Sequence, residues 1–121
     1  MSEEPGVDGD PNCVFCKIFR REIAADEVAR TEDAVVFRDL NPQAPVHYLV
    51  IPKRHVTDLG DLVAAAPHEL GDLFALASRV GREASQTGYR VVTNEGPDAG
   101  QSVFHLHLHV LAGRPMRWPP G

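Results

Sequence analysis

The stretch His105-Leu106-His107-Leu108-His109-Val110-Leu111 alternates imidazoles with aliphatic side chains over the length of one strand. Successive side chains of a strand point to opposite faces, so the three histidines project from one side and Leu106, Leu108 and Val110 from the other. The aliphatic side enters a core. Each imidazole brings a donor and an acceptor that must find partners, so the histidine side is expected to line a pocket. At about 3.3 Å per residue the Cα atoms of His105 and His109 stand about 13 Å apart, the limit for both to reach one metal ion. A central imidazole acting as nucleophile, with its neighbours orienting it and handling protons near neutral pH, suits the same row.

Working outward, Asn94-Glu95-Gly96-Pro97-Asp98-Ala99-Gly100-Gln101-Ser102 precedes the histidine row with the polar residues and glycines that let backbone N–H groups converge on an anion. Tyr89 to Thr93 reads as a strand before that loop, and Phe104 to Ala112 as the last strand. Upstream, His47-Tyr48-Leu49-Val50-Ile51 is a nearly continuous apolar strand stopped by Pro52. Asp39 to Pro45 carries two prolines and is expected to be an ordered loop. Val28–Arg30 and Ala34–Arg38 flank Thr31-Glu32-Asp33 and suggest a hairpin.

Two helices are expected. The longer runs from Pro67 to about Gln86, with Pro67 in its first turn and Leu70, Leu73, Phe74, Ala77, Val80 and Ala84 along one apolar face. The shorter lies within Cys13 to Ile23, where Val14, Phe15, Ile18 and Phe19 recur at helical spacing. Thr57 or Asp58 caps a short helical turn between them. Arg114 to Gly121 is an extended, Pro-rich tail holding the only tryptophan, Trp118.

The chain has 121 residues, enough for one compact domain, with 43% hydrophobic and 24% charged side chains, so global disorder is excluded. Residues 1–12, rich in acids, Gly and Pro, read as a disordered tail, leaving 13–121 as a single domain. A formal charge of −5 argues against nucleic acid or anionic lipid held by a general positive field, so an anionic ligand requires local devices. No apolar run approaches a membrane span and no signal peptide is evident, which makes the cytoplasm the expected location. Cys13 and Cys16 form one Cys-x-x-Cys pair, read as metal ligands or redox thiols.

With the histidine row, the segments Asp39–Pro45 and His47–Pro52 with Lys53 and His55, the Asn94-Glu95-Gly96 loop and the Trp118-Pro119-Pro120-Gly121 ending, the sequence resembles the histidine triad (HIT) superfamily, and within it the Hint branch of nucleoside phosphoramidases. The resemblance implies an α+β domain with a five-stranded antiparallel sheet, one long and one short helix, and a two-fold homodimer with a continuous ten-stranded sheet. It implies a hydrolase that cleaves purine nucleoside phosphoramidates and aminoacyl-adenylates to AMP or GMP through a nucleotidyl intermediate on His107. His109, His47 and Ser102 join His107 in catalysis by the same resemblance. Asp39 holds the ribose, Asn94, Gln101 and Ser102 belong to the phosphate-binding segment, and Phe15, Ile18, Phe37, Leu40 and Leu49 form the base pocket. Trp118 reaches toward the partner's site.

In bacterial members with this cysteine pair, the resemblance makes Cys13, Cys16, His55 and His105 the ligands of a structural zinc, with no catalytic metal. Alternatives within the superfamily are dinucleoside polyphosphate hydrolysis and nucleotidyl transfer. A nucleotide-binding regulatory dimer is a third reading, from another functional class.

Overall fold

The computed structural model describes residues 10–121. Five antiparallel strands, β1 (Glu27–Arg30), β2 (Ala34–Arg38), β3 (Val46–Pro52), β4 (Tyr89–Val92) and β5 (Leu108–Ala112), form one sheet in the order β1-β2-β3-β5-β4. The helices are α1 (Val14–Phe19), α2 (Leu59–Ala65) and α3 (Pro67–Ala84). This is the expected α+β architecture. Among the described residues no helix is long and apolar enough to cross a membrane. Of the tail expected over 1–12, residues 1–9 lie outside the described residues, while Asp10 to Asn12 make a turn in which Asn12 N–H donates to the Asp10 carboxylate at 2.8 Å.

Both faces of the central strands are covered, which is why β3 reads as a continuous apolar run. On one face α3 lays Leu73, Leu76, Ala77 and Val80 against Val36, Val50, Leu108 and Val110. On the other, α1 covers a smaller cluster of Phe15, Val35, Phe37, Leu49 and Ile51. The pairings Phe37↔Leu49 and Leu49↔His109 run a row across three strands on the α1 side. That row joins the apolar cluster to the histidines.

Beyond shifts of one residue at the ends of β1, β3 and β4, the structure departs from the sequence expectation in four places. The first helix stops at Phe19 because Arg21 takes a left-handed conformation (φ 61°), and Glu22 N–H and Arg21 N–H then bond to the Lys17 and Ile18 carbonyls. These bonds complete a helix-terminating motif in which glycine is the usual occupant. The last strand begins at Leu108, not Phe104: Pro52 has no N–H to extend the β3 ladder, and its carbonyl accepts from the His105 ring at 2.8 Å. The expected helical turn is a seven-residue helix, α2, capped by the Asp58 carboxylate on Asp61 N–H. The long helix ends at Ala84, and its Phe74 is 39% exposed, about 100° round the axis from Leu73, whereas Leu76 is buried.

Candidate active site

The alternation of the histidine row survives the shorter strand. Leu106, Leu108 and Val110 are buried under α3, and the His105, His107 and His109 rings face the α1 side. His47 from β3 joins them, its Nε2 2.9 Å from His109 Nδ1. The protons in this pair have fixed places. Gln43 N–H donates to His47 Nδ1 at 3.0 Å, so the proton of a neutral His47 sits on Nε2 and points at His109 Nδ1. His109 must therefore carry its own proton on Nε2. That atom is buried and, among the described residues, has no hydrogen-bond partner.

His107 is fixed in the opposite sense. Its Nδ1 lies 2.8 Å from the His105 carbonyl, which can only accept, so Nδ1 holds the proton and Nε2 keeps a free lone pair. The His107 and His109 ring centroids are 5.1 Å apart. A nucleophilic nitrogen thus stands beside an unsatisfied N–H donor, the arrangement needed to attack a centre while stabilising charge next to it. Burial, followed by the neighbouring His107 and His47, pushes His109 down to about 4. Burial also lowers His47, partly opposed by Asp39.

A second cluster lies behind the row. Cys13 Sγ is 3.3 Å from His105 Nδ1, Cys16 Sγ is 3.3 Å from His55 Nδ1 and 3.5 Å from His105 Nδ1, and the two Nδ1 atoms are 3.2 Å apart. A tetrahedral zinc with ordinary bond lengths requires edges of about 3.6 Å between nitrogen and sulfur and about 3.3 Å between nitrogens. The four side chains thus form a cluster that could hold such an ion. The outer nitrogens agree: His105 Nε2 faces the Pro52 carbonyl and His55 Nε2 faces the Asp10 carboxylate at 3.3 Å, both acceptors, which leaves each Nδ1 lone pair for a metal.

Asp39, His47 and His109 also bring ligand atoms together. Their chemistry differs. The outer nitrogen of His47 faces a donor, the Gln43 N–H, so its inner nitrogen carries a proton and suits a hydrogen-bonded pair rather than a metal.

The remaining expected residues fall into three groups. Phe15, Phe37 and Leu49 are buried together with Ile18 packed against them, and the Phe15 ring stands edge-on to His107 at 5.1 Å. Asp39 sits at the mouth, its Oδ2 3.4 Å from His47 Nε2 and its Oδ1 accepting from Asn41 N–H. Asn94 is half-buried and Ser102 exposed in the loop before the row. Gln101 is buried, and its amide is engaged by the protein, accepting from Gly96 N–H and donating to the Thr57 and Val103 carbonyls. It shapes the loop. Leu40 and Trp118 are 97% and 83% exposed, and the single chain brings neither onto the histidines.

Sequence reasoning missed the Gln43 N–H and Pro52 carbonyl, because a backbone group has no signature in the residue type. It also missed Asp10, hidden in an acidic segment that reads as a tail.

The family model described as HIT domain matches residues 20–116. The chain is 49% identical over 111 residues to a HIT-like protein of Synechococcus elongatus, spanning 89% of this chain and 96% of that one. Over 108 residues it is 49% identical to a 13.2 kDa HIT-like protein of Azospirillum brasilense, spanning 87% and 88%. Among solved structures, it resembles a HIT family hydrolase from Legionella pneumophila with a TM-score of 0.86 and 42% identity, covering 91% of this chain and 100% of that one. A histidine triad protein from Clostridium difficile follows with 0.85 and 38%, covering 90% and 96%.

Proposed function

This chain belongs to the HIT domain family, and from that membership we propose that it is a nucleotide hydrolase of the Hint branch, cleaving purine nucleoside phosphoramidates and aminoacyl-adenylates to nucleoside monophosphates. The observation that carries the reading is the pairing of a free His107 Nε2 with the buried, unpartnered His109 Nε2–H. His107 Nε2 forms a bond to the α-phosphorus while the bond to the leaving amine or carboxylate breaks. His109 Nδ1 is already taken by the His47 Nε2–H, so its Nε2–H acts as a hydrogen-bond donor to the phosphate oxygen or leaving group beside His107, and a departing amine leaves with a proton taken from solvent. Water then attacks phosphorus, gives up its proton to solvent, and the His107–phosphorus bond breaks, restoring the free Nε2.

His47 holds His109 in the required tautomer. In this reading Ser102 and Asn94, in the loop before the row, donate to the phosphate oxygens, and Asp39 accepts from the ribose hydroxyls. Phe15, Ile18, Phe37 and Leu49 form the apolar wall for the base, in line with the row that joins them to His109. Leu40 and Trp118 can act only on a ligand or partner that covers them, and β4, with β1 one of the two edges of the sheet among the described residues, is where the proposed homodimer joins. At Cys13, Cys16, His55 and His105 a bound zinc would supply structural cross-linking, and four protein ligands leave it no open position for catalysis. The test is turnover of a fluorogenic adenosine phosphoramidate: activity that His107→Ala abolishes is expected, and unchanged activity in that variant contradicts the reading.

A further inference from the structure

The metal cluster and the nucleophile share parts. The His105 ring points its Nδ1 at the two sulfurs, and the carbonyl of the same residue fixes the His107 proton. Phe15, between the two cysteines in sequence, stands edge-on to both rings, 5.9 Å from His105 and 5.1 Å from His107. The two sulfurs lie within 4.8 Å of each other. Their exposures differ: Cys16 is 2% exposed, whereas Cys13 lines an open cleft of about 400 Å³ with Asp10, His55, Ser102 and Phe104. One sulfur is reachable and the other waits behind it.

We propose that Cys13 and Cys16 form a thiol modification site, oxidised by peroxides to a disulfide with loss of the metal and release of His107 from its fixed orientation. The effect on turnover rests on the hydrolase reading above; the modification itself does not. Cys13 Sγ attacks one peroxide oxygen, the O–O bond breaks, and the departing hydroxide is protonated to water. Cys16 Sγ then attacks the sulfenic sulfur of Cys13, the S–S bond forms, and the second oxygen leaves as water. Two thiolates are oxidised, one peroxide is reduced to two waters, and two protons are consumed. The cluster then retains only His55 and His105, too few ligands for a tetrahedral structural ion. Phe15 and the His105 carbonyl, both held by that cluster, no longer define the position and tautomer of His107.

The experiment treats the zinc-loaded full-length chain with hydrogen peroxide in increments. It follows intact mass, zinc released to a colorimetric chelator, the ¹⁵N signals of the His107 ring, and turnover. Expected is a mass lower by two hydrogens, stoichiometric zinc release, averaging of the His107 ring signals, and a fall in turnover of about tenfold or more, all reversed by dithiothreitol with added zinc. His107→Ala should form the disulfide and lose zinc at the same rate as the parent. Retained zinc, oxygen added to one cysteine without a disulfide, or a disulfide that leaves the His107 signals sharp would each overturn the proposal. If the reduced protein turns over no phosphoramidate, the hydrolase reading fails alone, and mass, zinc and ring signals still decide this one.

Discussion

His47 Nε2 lies 2.9 Å from His109 Nδ1, and the Gln43 N–H on the far side of His47 fixes which of the two donates. Removing His109 takes away the donor beside His107, so His109→Ala should lower kcat about 10²–10⁴-fold. His47→Ala leaves His109 in place but frees its tautomer, and its loss should be smaller. Steady-state kinetics on one phosphoramidate rank the two. A His47 variant more damaged than the His109 variant would reverse the assignment.

Stability should fall with acid in a defined window. An unfolded histidine titrates near 6.5, whereas His105 and His109 are held at about 4, chiefly by burial. Between those values the unfolded chain binds more protons than the native one, so these histidines cost the metal-free protein stability as pH drops from about 6.5 to about 4, and their contribution levels off below. Glu27, held down to about 2 by Arg30 and Arg21, acts in a separate, lower window. Urea unfolding between pH 7 and about 5 stays above the window in which Glu22, Glu27 and Glu69, all lowered by arginines, lose their contribution. His109→Gln should reduce the slope without abolishing it, since His105 and His47 are lowered too, and a flat profile in the parent protein would contradict the burial argument.

Metal removal tests the cluster. One zinc per chain should bind, and at a concentration about 100 times Kd it should raise the thermal midpoint by about 10 °C. Cys16→Ser and His55→Ala should each abolish that shift. Full zinc content in both variants would exclude the four-residue site.

Gly81 marks where α3 meets the edge strand. A Cβ there would stand 2.5 Å from the Tyr89 ring, whose hydroxyl is tied to Ser78 Oγ at 3.0 Å. The ring has little room to yield, so Gly81→Ala should cost about 1–3 kcal/mol by chemical denaturation, despite alanine's better helix propensity. A stabilised variant would show that Tyr89 moves freely.

What the sequence made legible follows the physics of each part. Alternation at His105 to Val110 gave the faces correctly, because strand-like geometry persists beyond the ladder, but it could not show that Pro52 ends the pairing at Leu108. The long helix was readable from Pro67 and its period, while Phe74 and Leu76 exchange places because a helical stripe is narrower than a list of apolar residues. Cys13 and Cys16 read as metal ligands or redox thiols; their meeting with His55 and His105 needed the resemblance, since those residues lie about 40 and 90 positions away. Backbone partners of the imidazoles were invisible, and they decide which nitrogen reacts.

The central claim is that His107 Nε2 is the nucleophile. Rapid mixing with an adenosine phosphoramidate, quenching in base and peptide mass mapping should find an adenylyl group on the peptide containing His105, His107 and His109, with fragmentation placing it on His107 and none formed in His107→Ala. An adduct on another residue, or turnover retained by His107→Ala, would contradict it.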